Sequence, residues 1–346
     1  MHRHMHAATL AALISAAIVA AAPRPAAADP VADFYRNKTV TVFTSFEPTG
    51  GFGLYAKLVA DFLGRHLPGH PKALPQYMAG AGGVKGANYF YTVAPKDGTV
   101  IGMLSQVAPL FQRLKGEAGG FRYDTGKMTW LGRMTTMEAV MGTRTASGLT
   151  SLDAMKGKEL VACASGKSHQ GYINSRAFAE MMGLKMKVIT GYPGTAEQLL
   201  AVERDECNVL IMSWDTWKTR GQSRIQEKKV ALLAVVGLER SPDLPKVPTM
   251  VELARDPDTR EVQKFIASYA GIGRAFALPP GVPADRVAAM KQAFVDTYND
   301  PDLIAAAKKQ HMDLVTAPGE EVQKYVMDTL NAPDDVVAKT RAMIGM

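Results

Sequence analysis

Three turns in this sequence place glycine or serine next to the predicted start of a helix, and together they indicate anion binding. The turns are Glu47–Gly51, Ser165–Ser168 and Tyr192–Thr195. The first backbone N–H groups of a helix have no partner within the helix, and the helix dipole is positive at that end. Glycine also lets a ligand come close to the backbone. We therefore expect these turns to bind a small anion through backbone N–H groups.

The first of these turns lies between a predicted strand and a predicted helix. Thr39–Phe43 is a run of β-branched and aromatic residues, which is typical of a buried strand. Apolar residues then recur at helical spacing from Tyr55 to Leu63, so the helix should begin near Phe52. An ordinary strand-to-helix turn without a ligand is the alternative interpretation.

Two other patterns could indicate nucleotide binding or catalysis, and each fails on its spacing. Gly166-Lys167-Ser168 lacks the earlier glycine of a phosphate-binding loop, because Val161 occupies that position. Ser168 and His169 are adjacent, which rarely gives the geometry of a nucleophile and its base, and no Gly-x-Ser-x-Gly motif is present. We therefore predict no cofactor and no enzymatic activity.

Predicted strands and helices alternate along the chain. Such alternation predicts an α/β fold in which mainly parallel sheets are flanked by helices. The segment 110–128 is expected to be rich in loops. Strands are predicted at 39–43, 72–78, 99–104, 138–143, 158–164, 185–190, 207–212, 230–236, 268–277 and 312–316.

Composition and charge suit a globular protein with a small ligand. The chain has 346 residues, of which 47% are hydrophobic, so it can bury a large core. Its formal net charge is +7, and acidic and basic residues alternate without a basic block. This pattern argues against a nucleic-acid-binding surface and is compatible with an anionic ligand.

The N-terminus has the three parts of a secretory signal peptide. His2-Arg3-His4 is basic, Ala7–Ala22 is apolar, and Ala26-Ala27-Ala28 offers a small-residue cleavage site. A membrane anchor is the alternative, but the apolar run is shorter than the ~18 residues that a transmembrane helix needs. We expect residues 1–28 to be removed and the mature protein to lie in the periplasm.

Three motifs, in this order and spacing, resemble those of one protein family. They are Pro48–Gly53, Met78–Gly83 and Ala94–Val100. In sequence they resemble the P-G-G-G-x-D turn, the P-G-A-G-G loop and the A-x-P-D-G-Y-T-L segment of the TctC or Bug family. These are the substrate-binding proteins of tripartite tricarboxylate transporters, and the resemblance covers nearly all of the mature chain.

The resemblance implies a two-lobed periplasmic binding protein with a ligand cleft between its lobes. In the family the chain crosses between the lobes twice, and here the crossings fall near Thr143 and near Ser268. Lobe 1 is then 29–143 plus 268–346, and lobe 2 is 144–267. Each lobe is expected to hold a mainly parallel sheet flanked by helices.

The resemblance also implies a function. The protein would capture a small organic anion, with a carboxylate as the favoured class, and deliver it to the membrane subunits of the transporter. A monomer is expected. Two alternatives stay open at this point: a ligand-sensing protein that acts on a sensor kinase ectodomain, and a secreted α/β hydrolase.

Candidate ligand-binding residues lie in the motif turns and at strand ends. Ligands of open α/β sheets bind beyond the carboxyl ends of the strands, which adds the residues after two predicted strands. Ser168 and Thr195 are expected to cap their helices. The candidates are Thr49, Gly51, Phe52, Gly53, Ala81, Gly82, Gly83, Ser105, Gln106, Ser165, Lys167, Ser168, His169, Gly194, Thr195, Trp214 and Asp215.

Gly53 departs from the family, which usually has aspartate at the end of this turn. Glycine can neither pair with an ammonium group nor accept a hydrogen bond through a side chain, and it leaves more room. We therefore predict a ligand without an amino group on that side, either a second carboxylate or an apolar body facing Phe46, Phe52 and Trp214. The alternative is that Gly53 only permits a different turn.

Cysteine and histidine give no further site. Cys163 and Cys207 are the two cysteines of the chain, and a disulfide and two buried thiols are both compatible with the sequence. His66 and His70 have a spacing seen in metal sites, but Pro68-Gly69 breaks any helix between them and no third ligand is apparent. We predict no metal.

Overall fold

A computed structural model describes residues 29–116 and 120–346, so the predicted signal peptide 1–28 lies outside the described residues. The strands are β1 Thr39–Thr44, β2 Lys72–Tyr77, β3 Val100–Met103, β4 Thr129–Arg133, β5 Ala139–Arg144, β6 Leu160–Ala164, β7 Met186–Thr190, β8 Val209–Ser213, β9 Val230–Val236, β10 Ala275–Leu278 and β11 Ala317–Pro318.

The helices lie on the faces of the sheets formed by these strands, and a π-helical turn at Trp217–Gly221 joins α7 to α8. The helices are α1 Pro30–Tyr35, α2 Gly51–His66, α3 Val84–Thr92, α4 Ala108–Lys115, α5 Gln170–Met182, α6 Thr195–Glu203, α7 Trp214–Thr216, α8 Gln222–Gln226, α9 Met250–Leu253, α10 Pro257–Ala267, α11 Ala284–Tyr298, α12 Pro301–Lys309, α13 Gly319–Leu330 and α14 Asp334–Ile344.

The strands form two sheets, which confirms the two-lobed α/β fold. The sheet of lobe 1 has the order β11-β4-β10-β3-β1-β2, and the sheet of lobe 2 has the order β7-β6-β8-β5-β9. In lobe 1, β10 runs antiparallel to β3 and β4, while β1 is parallel to β2 and β3. In lobe 2, β5 runs antiparallel to β8 and β9, and β6 is parallel to β7 and β8. Strand β11 also runs antiparallel to β4. Both sheets are therefore mixed, because the strand that follows a crossing, β10 or β5, runs opposite to both of its neighbours. The expected parallel pairing holds for β1, β2 and β3 and for β6, β7 and β8.

The first crossing lies earlier than expected from the sequence, and a third crossing is added to the two expected. Strand β5 pairs with β8 and β9 of lobe 2, which places the first crossing before Ala139, a few residues earlier than the predicted boundary at Thr143. Helix α14 packs against α5 and α10 of lobe 2, so the chain crosses a third time before it. We therefore propose 29–138 plus 268–333 as lobe 1 and 139–267 plus 334–346 as lobe 2.

Three segments also differ in secondary structure, and one of them is the strand predicted at 312–316, which is irregular and precedes the two-residue β11. The segment 110–128, expected to be loop-rich, includes the end of helix α4, whose Leu110, Phe111 and Leu114 are buried. The strand predicted at 268–277 is limited to β10, because a 3-10 turn at Ser268–Gly271 and a left-handed Gly273 (φ +59°) precede it. Arg274 lies between this irregular backbone and β10, and its backbone groups bond to Met134 and Thr135.

The two cysteines form a disulfide. Cys163 on β6 and Cys207, just before β8, are bonded with their Cα atoms 5.9 Å apart. Both side chains are buried in the core of lobe 2. The bond ties two neighbouring parallel strands on the side of the sheet that carries α6 and resolves the alternatives left open by the sequence. Across 29–116 and 120–346, no helix is long and apolar enough to cross a bilayer.

Candidate functional site

Three helices begin at a small cavity between the lobes. Helix α2 of lobe 1 and helices α5 and α6 of lobe 2 have Gly50, His169 and Gly194 as their N-cap residues. All three caps line one cavity of about 30 Å³, which has room for about two water molecules. Because unpaired N–H groups occur at each helix start, the cavity has a positive electrostatic potential from the backbone.

Arg274 lies at the base of this cavity and was not identified from the sequence. It is 1% exposed and stands on the chain that enters lobe 1 just before β10. Its Nε donates to Asp215 Oδ2 at 2.7 Å, and its Nη2 donates to Ser213 Oγ at 3.2 Å and Thr216 Oγ1 at 3.1 Å. Its Nη1 is buried without a hydrogen-bond partner. One nitrogen of a buried guanidinium is therefore left without a partner, which is unusual in a folded protein.

The sequence does contain a signal for Arg274. It directly precedes the apolar strand Ala275–Leu278, and a charged residue at the edge of such a strand is rarely buried without a role. Its guanidinium packs over the rings of Phe52 at 4.6 Å and Tyr55 at 5.0 Å, which holds its plane in place. Strand prediction alone treated the arginine as part of a regular strand.

Gly51, a predicted site residue, makes room for Arg274. A Cβ atom at Gly51 would overlap the Arg274 guanidinium and come within 2.7 Å of Thr216 Oγ1. Glycine is therefore needed so that the N-terminus of α2 can approach the cation. Phe52 follows in the first turn of α2 and also lines the cavity.

Asp215 contributes to the site differently from the prediction. It does not line the small cavity, and it pairs with Arg274 from lobe 2 with a shortest N–O distance of 2.6 Å. Trp214 points elsewhere, because its Nε1 donates to Asp243 Oδ2 at 2.7 Å and its ring lies beside Lys218. Trp214 and Asp215 line a neighbouring cavity of about 460 Å³. The prediction that Trp214 contacts a ligand in the cleft therefore has no support here.

His169, and not Ser168, caps helix α5. Its Nδ1 accepts a hydrogen bond from the Gly171 N–H at 3.3 Å, which leaves Nε2 to carry the proton. Burial, and secondarily the charge of Arg274, lower the pKa of His169 to about 4. The histidine is therefore neutral at physiological pH. Lys167 is exposed and Ser168 half-buried, and neither lines the small cavity.

The N-cap of helix α6 is Gly194, one residue before the predicted cap Thr195, which is the first residue of the helix. Both line the cavity, as does Ser165. The Ser165 hydroxyl accepts a hydrogen bond from Gln198 Nε2 at 2.9 Å, so the loop before α5 is joined to helix α6. These contacts fix two of the three helix starts within lobe 2.

A second cavity of about 310 Å³ continues the cleft outward. It shares Phe46 and Ser165 with the small cavity and is lined by the loops Ala79–Gly83 and Gly191–Pro193. It thus brings together the predicted residues Ala81, Gly82 and Gly83. Gly82 faces lobe 2, because a Cβ atom there would lie 3.0 Å from the Ser168 carbonyl carbon and 3.1 Å from the His169 nitrogen. The lobes are in contact at this point and the cleft is closed.

The remaining predicted residues lie at the margin of the cleft. Gln106 Nε2 donates to Gln170 Oε1 of helix α5 at 2.6 Å. Ser105 lies behind Gly83, 3.6 Å from where a Cβ of that glycine would be. Thr49 is exposed and lines neither cavity.

Gly53 does not leave room for a ligand, contrary to the prediction. A Cβ atom at Gly53 would overlap the carbonyl oxygens of Glu47 and Pro48, so the residue faces its own turn. Glu47 of the same turn lines the small cavity instead. Burial raises the pKa of the Glu47 carboxyl, and nearby Glu197 raises it further. The acidic group at this end of the cleft is therefore Glu47.

Among residues 29–116 and 120–346, no group of three or more His, Cys, Asp or Glu side chains could hold a metal ion. His66 Nε2 lies 2.9 Å from Asp300 Oδ2, and His70 Nδ1 lies 3.1 Å from the Arg65 carbonyl oxygen. The two histidines are thus parts of separate contacts.

Comparisons with known proteins give the same family. A family model described as the tripartite tricarboxylate transporter family receptor, TctC, matches residues 76–341. No curated protein matches the sequence.

Several solved structures have a similar fold. The periplasmic binding protein BugD has a TM-score of 0.69 and 18% identity, over 90% of this chain and 99% of that chain. A protein of R. palustris, Rpa4515, solved with adipate, has a TM-score of 0.68 and 18% identity, over 90% of this chain and 97% of that chain. MatC from Rhodopseudomonas palustris, solved with malate, has a TM-score of 0.68 and 18% identity, over 86% of this chain and 98% of that chain.

Proposed function

The chain belongs to the TctC family of tripartite tricarboxylate transporter receptors, and we propose that it is a periplasmic solute-binding protein for a small organic carboxylate. The carboxylate would lie in the cleft between the lobes. It would contact the N-termini of α2, α5 and α6 and the free Nη1 of Arg274. The family predicted from the sequence motifs is the family that the comparison gives.

The observation that carries this proposal is the buried Arg274 beside the start of α2. A guanidinium whose Nη1 has no partner, next to backbone N–H groups, matches what a carboxylate oxygen requires. Adipate and malate, bound in two proteins of similar fold, are both carboxylates. The ligand would therefore share their anionic head group.

The hydrogen bonding and the pKa of His169 argue against the hydrolase alternative. His169 uses Nδ1 to cap its helix, and its pKa of about 4 makes it a weak base at neutral pH. We therefore favour binding without chemistry. The bound, closed form would then be recognised by the membrane subunits of a tripartite tricarboxylate transporter, and the protein would act as a monomer in the periplasm.

Entry of a ligand requires the lobes to separate. The small cavity has a volume of only about 30 Å³, and contacts such as that of Gly82 with the start of α5 close it. A dicarboxylate is larger than this space. The lobes would open, admit the ligand and close around it, which is the hinge motion expected of two-lobed binding proteins.

Isothermal titration calorimetry tests the proposal. The protein is first unfolded in guanidinium chloride and refolded to remove bound metabolites, and it is then titrated with succinate, malate, adipate and benzoate. Glucose and putrescine serve as neutral and cationic controls. Binding of at least one carboxylate and of neither control is expected. Binding of a control in the absence of any carboxylate would refute the proposal.

A further inference from the structure

Glu47 places a carboxylate in the same cavity as Arg274. It lies in the turn before α2, on lobe 1, and reaches lobe 2, where a Cβ atom at Gly194 would overlap its Oε2. Its Oε1 is buried without a hydrogen-bond partner. Both residues line the cavity, and each has a buried polar atom without a hydrogen-bond partner, Arg274 Nη1 and Glu47 Oε1.

Arg274 has an ion-pair partner that balances its charge, whereas Glu47 has none among the described residues. Arg274 has Asp215 as its ion-pair partner. Within the part of the chain that the structure describes, no basic side chain forms an ion pair with Glu47. Its charged neighbour is Glu197, whose Oε2 lies 3.3 Å from where a Cβ of Gly194 would be. Two carboxylates thus approach each other across the closed cleft.

The N-terminus of α6 offers only partial compensation for these charges. A helix start carries the equivalent of about half a positive charge, which is smaller than the charge of two carboxylates. Burial makes an uncompensated carboxylate costly, as the raised pKa of Glu47 indicates. A cationic group between Glu47 and the cavity would remove this cost.

We infer that Glu47 binds the ammonium group of the ligand, so that the ligand is an amino-carboxylate. The carboxylate would contact Arg274 Nη1 and the start of α2, and the ammonium group would donate to Glu47 Oε1. This inference rests on the proposed function and specifies its ligand class. It reverses the expectation based on Gly53, because Glu47 supplies the acidic group that Gly53 lacks.

Matched ligand pairs test the inference. Aspartate and succinate, and glutamate and glutarate, differ only in the amino group. A charge-assisted contact of this kind corresponds to about a ten- to hundredfold difference in Kd. We expect calorimetry on the unfolded and refolded protein to give this preference for the amino form. Malate, which offers a neutral hydroxyl, should bind more weakly than aspartate.

Variants assign the preference to Glu47. Glu47→Gln keeps the shape and removes the charge, and it should reduce the aspartate-to-succinate preference to about one while succinate still binds. Glu180→Gln, which removes an exposed acid of α5 far from the cleft, should keep the preference. Circular dichroism checks that both variants are folded.

The outcomes separate the two proposals. If succinate binds as tightly as aspartate, or if Glu47→Gln leaves the preference unchanged, the role of Glu47 is refuted while carboxylate binding stands. If malate matches aspartate and Glu47→Gln weakens both equally, a neutral donor replaces the ammonium group and the inference also fails. If no acid of either kind binds, the proposed function itself fails.

Discussion

Arg274 and Asp215 belong to different lobes, and their side chains form a buried ion pair in which Nε lies 2.7 Å from Oδ2. Both are at most 5% exposed. The pair holds the lobes together directly beneath the cavity and at the same time leaves Arg274 Nη1 free. The contact between the lobes and the proposed recognition of a carboxylate thus involve the same guanidinium.

The ion pair predicts non-additive stability effects. Arg274→Met and Asp215→Asn should each lower the free energy of unfolding by about 3 kcal/mol, because each leaves a buried charge without its partner. In the double variant the free energy of unfolding should fall by less than the sum of the two single losses, since that variant contains neither charge. Urea unfolding at neutral pH measures the three values.

Arg286→Met is the matched control for that cycle. Arg286 packs on Phe34 and donates to the Asp97 carbonyl oxygen within lobe 1, far from Asp215. The loss of unfolding free energy caused by Arg286→Met should therefore add to the loss caused by Asp215→Asn. Additive losses for Arg274→Met and Asp215→Asn would show instead that the pair contributes no coupling across the lobes.

Gly82→Val should prevent closure while the lobes stay folded. Gly82 has a φ of +66°, and a side chain there would meet the start of α5 in the opposite lobe. Ligand affinity should fall more than tenfold, by about 1.4 kcal/mol or more. Gly157→Val is the control, because Gly157 has a φ of +68° and open space around it. Equal affinity losses in both variants would attribute the effect to backbone strain.

His169 should make stability depend on pH. An unfolded histidine takes up a proton below about pH 6.5, whereas folded His169 stays neutral down to a pKa of about 4. The unfolded state therefore binds more protons in this range, and stability should fall as the pH is lowered from about 6.5 to 4, by on the order of 3 kcal/mol. Above this range the contribution is fully present.

His169→Asn isolates this contribution. Asparagine can still accept a hydrogen bond at the N-cap but does not titrate. Urea unfolding at several pH values between about 7 and 4 should show a shallower decline for the variant than for the unmodified protein. Parallel curves would mean that other groups account for the pH dependence.

The disulfide should stabilise lobe 2 because it lowers the conformational entropy of the unfolded chain. Cys163 and Cys207 are 44 residues apart, and closing a loop of this length corresponds to about 4 kcal/mol in the chain-entropy model. The double variant Cys163→Ala/Cys207→Ala should therefore unfold at a lower temperature. Reductant should lower the Tm of the unmodified protein toward that of the variant and leave the variant unchanged. A Tm of the variant equal to that of the oxidised protein would contradict this prediction.

Local sequence signals located the parts of the cleft that depend on local backbone. Gly51 and Gly194 were identified because a glycine turn before a helix is a short-range pattern, and both line the cavity. The Arg274–Asp215 pair was not found, since its members are 59 residues apart and meet only when the lobes assemble. The prediction for Gly53 failed for a different reason: the turn is local, but only its folded backbone shows that a Cβ atom at Gly53 would overlap the Glu47 carbonyl oxygen.

The order of strands and helices was predictable for similar reasons, and the path between the lobes was not. Strand β9 lies where the apolar run predicted it, at Val230–Val236. The insertion of β5 beside β9, and the return of α14 to lobe 2, depend on pairing and packing between distant segments. Periodicity within a segment carries no information about its partners.

The third crossing puts the two ends of the described chain on different lobes. Helix α1, through Tyr35, packs in the core of lobe 1, and helix α14, through Ile344, packs in the core of lobe 2. A fluorescent donor attached near Asp29 and an acceptor attached near Met346 would therefore be carried by different lobes. Closure of the cleft would alter energy transfer between them, so the fold already has the layout of an optical biosensor for its own ligand.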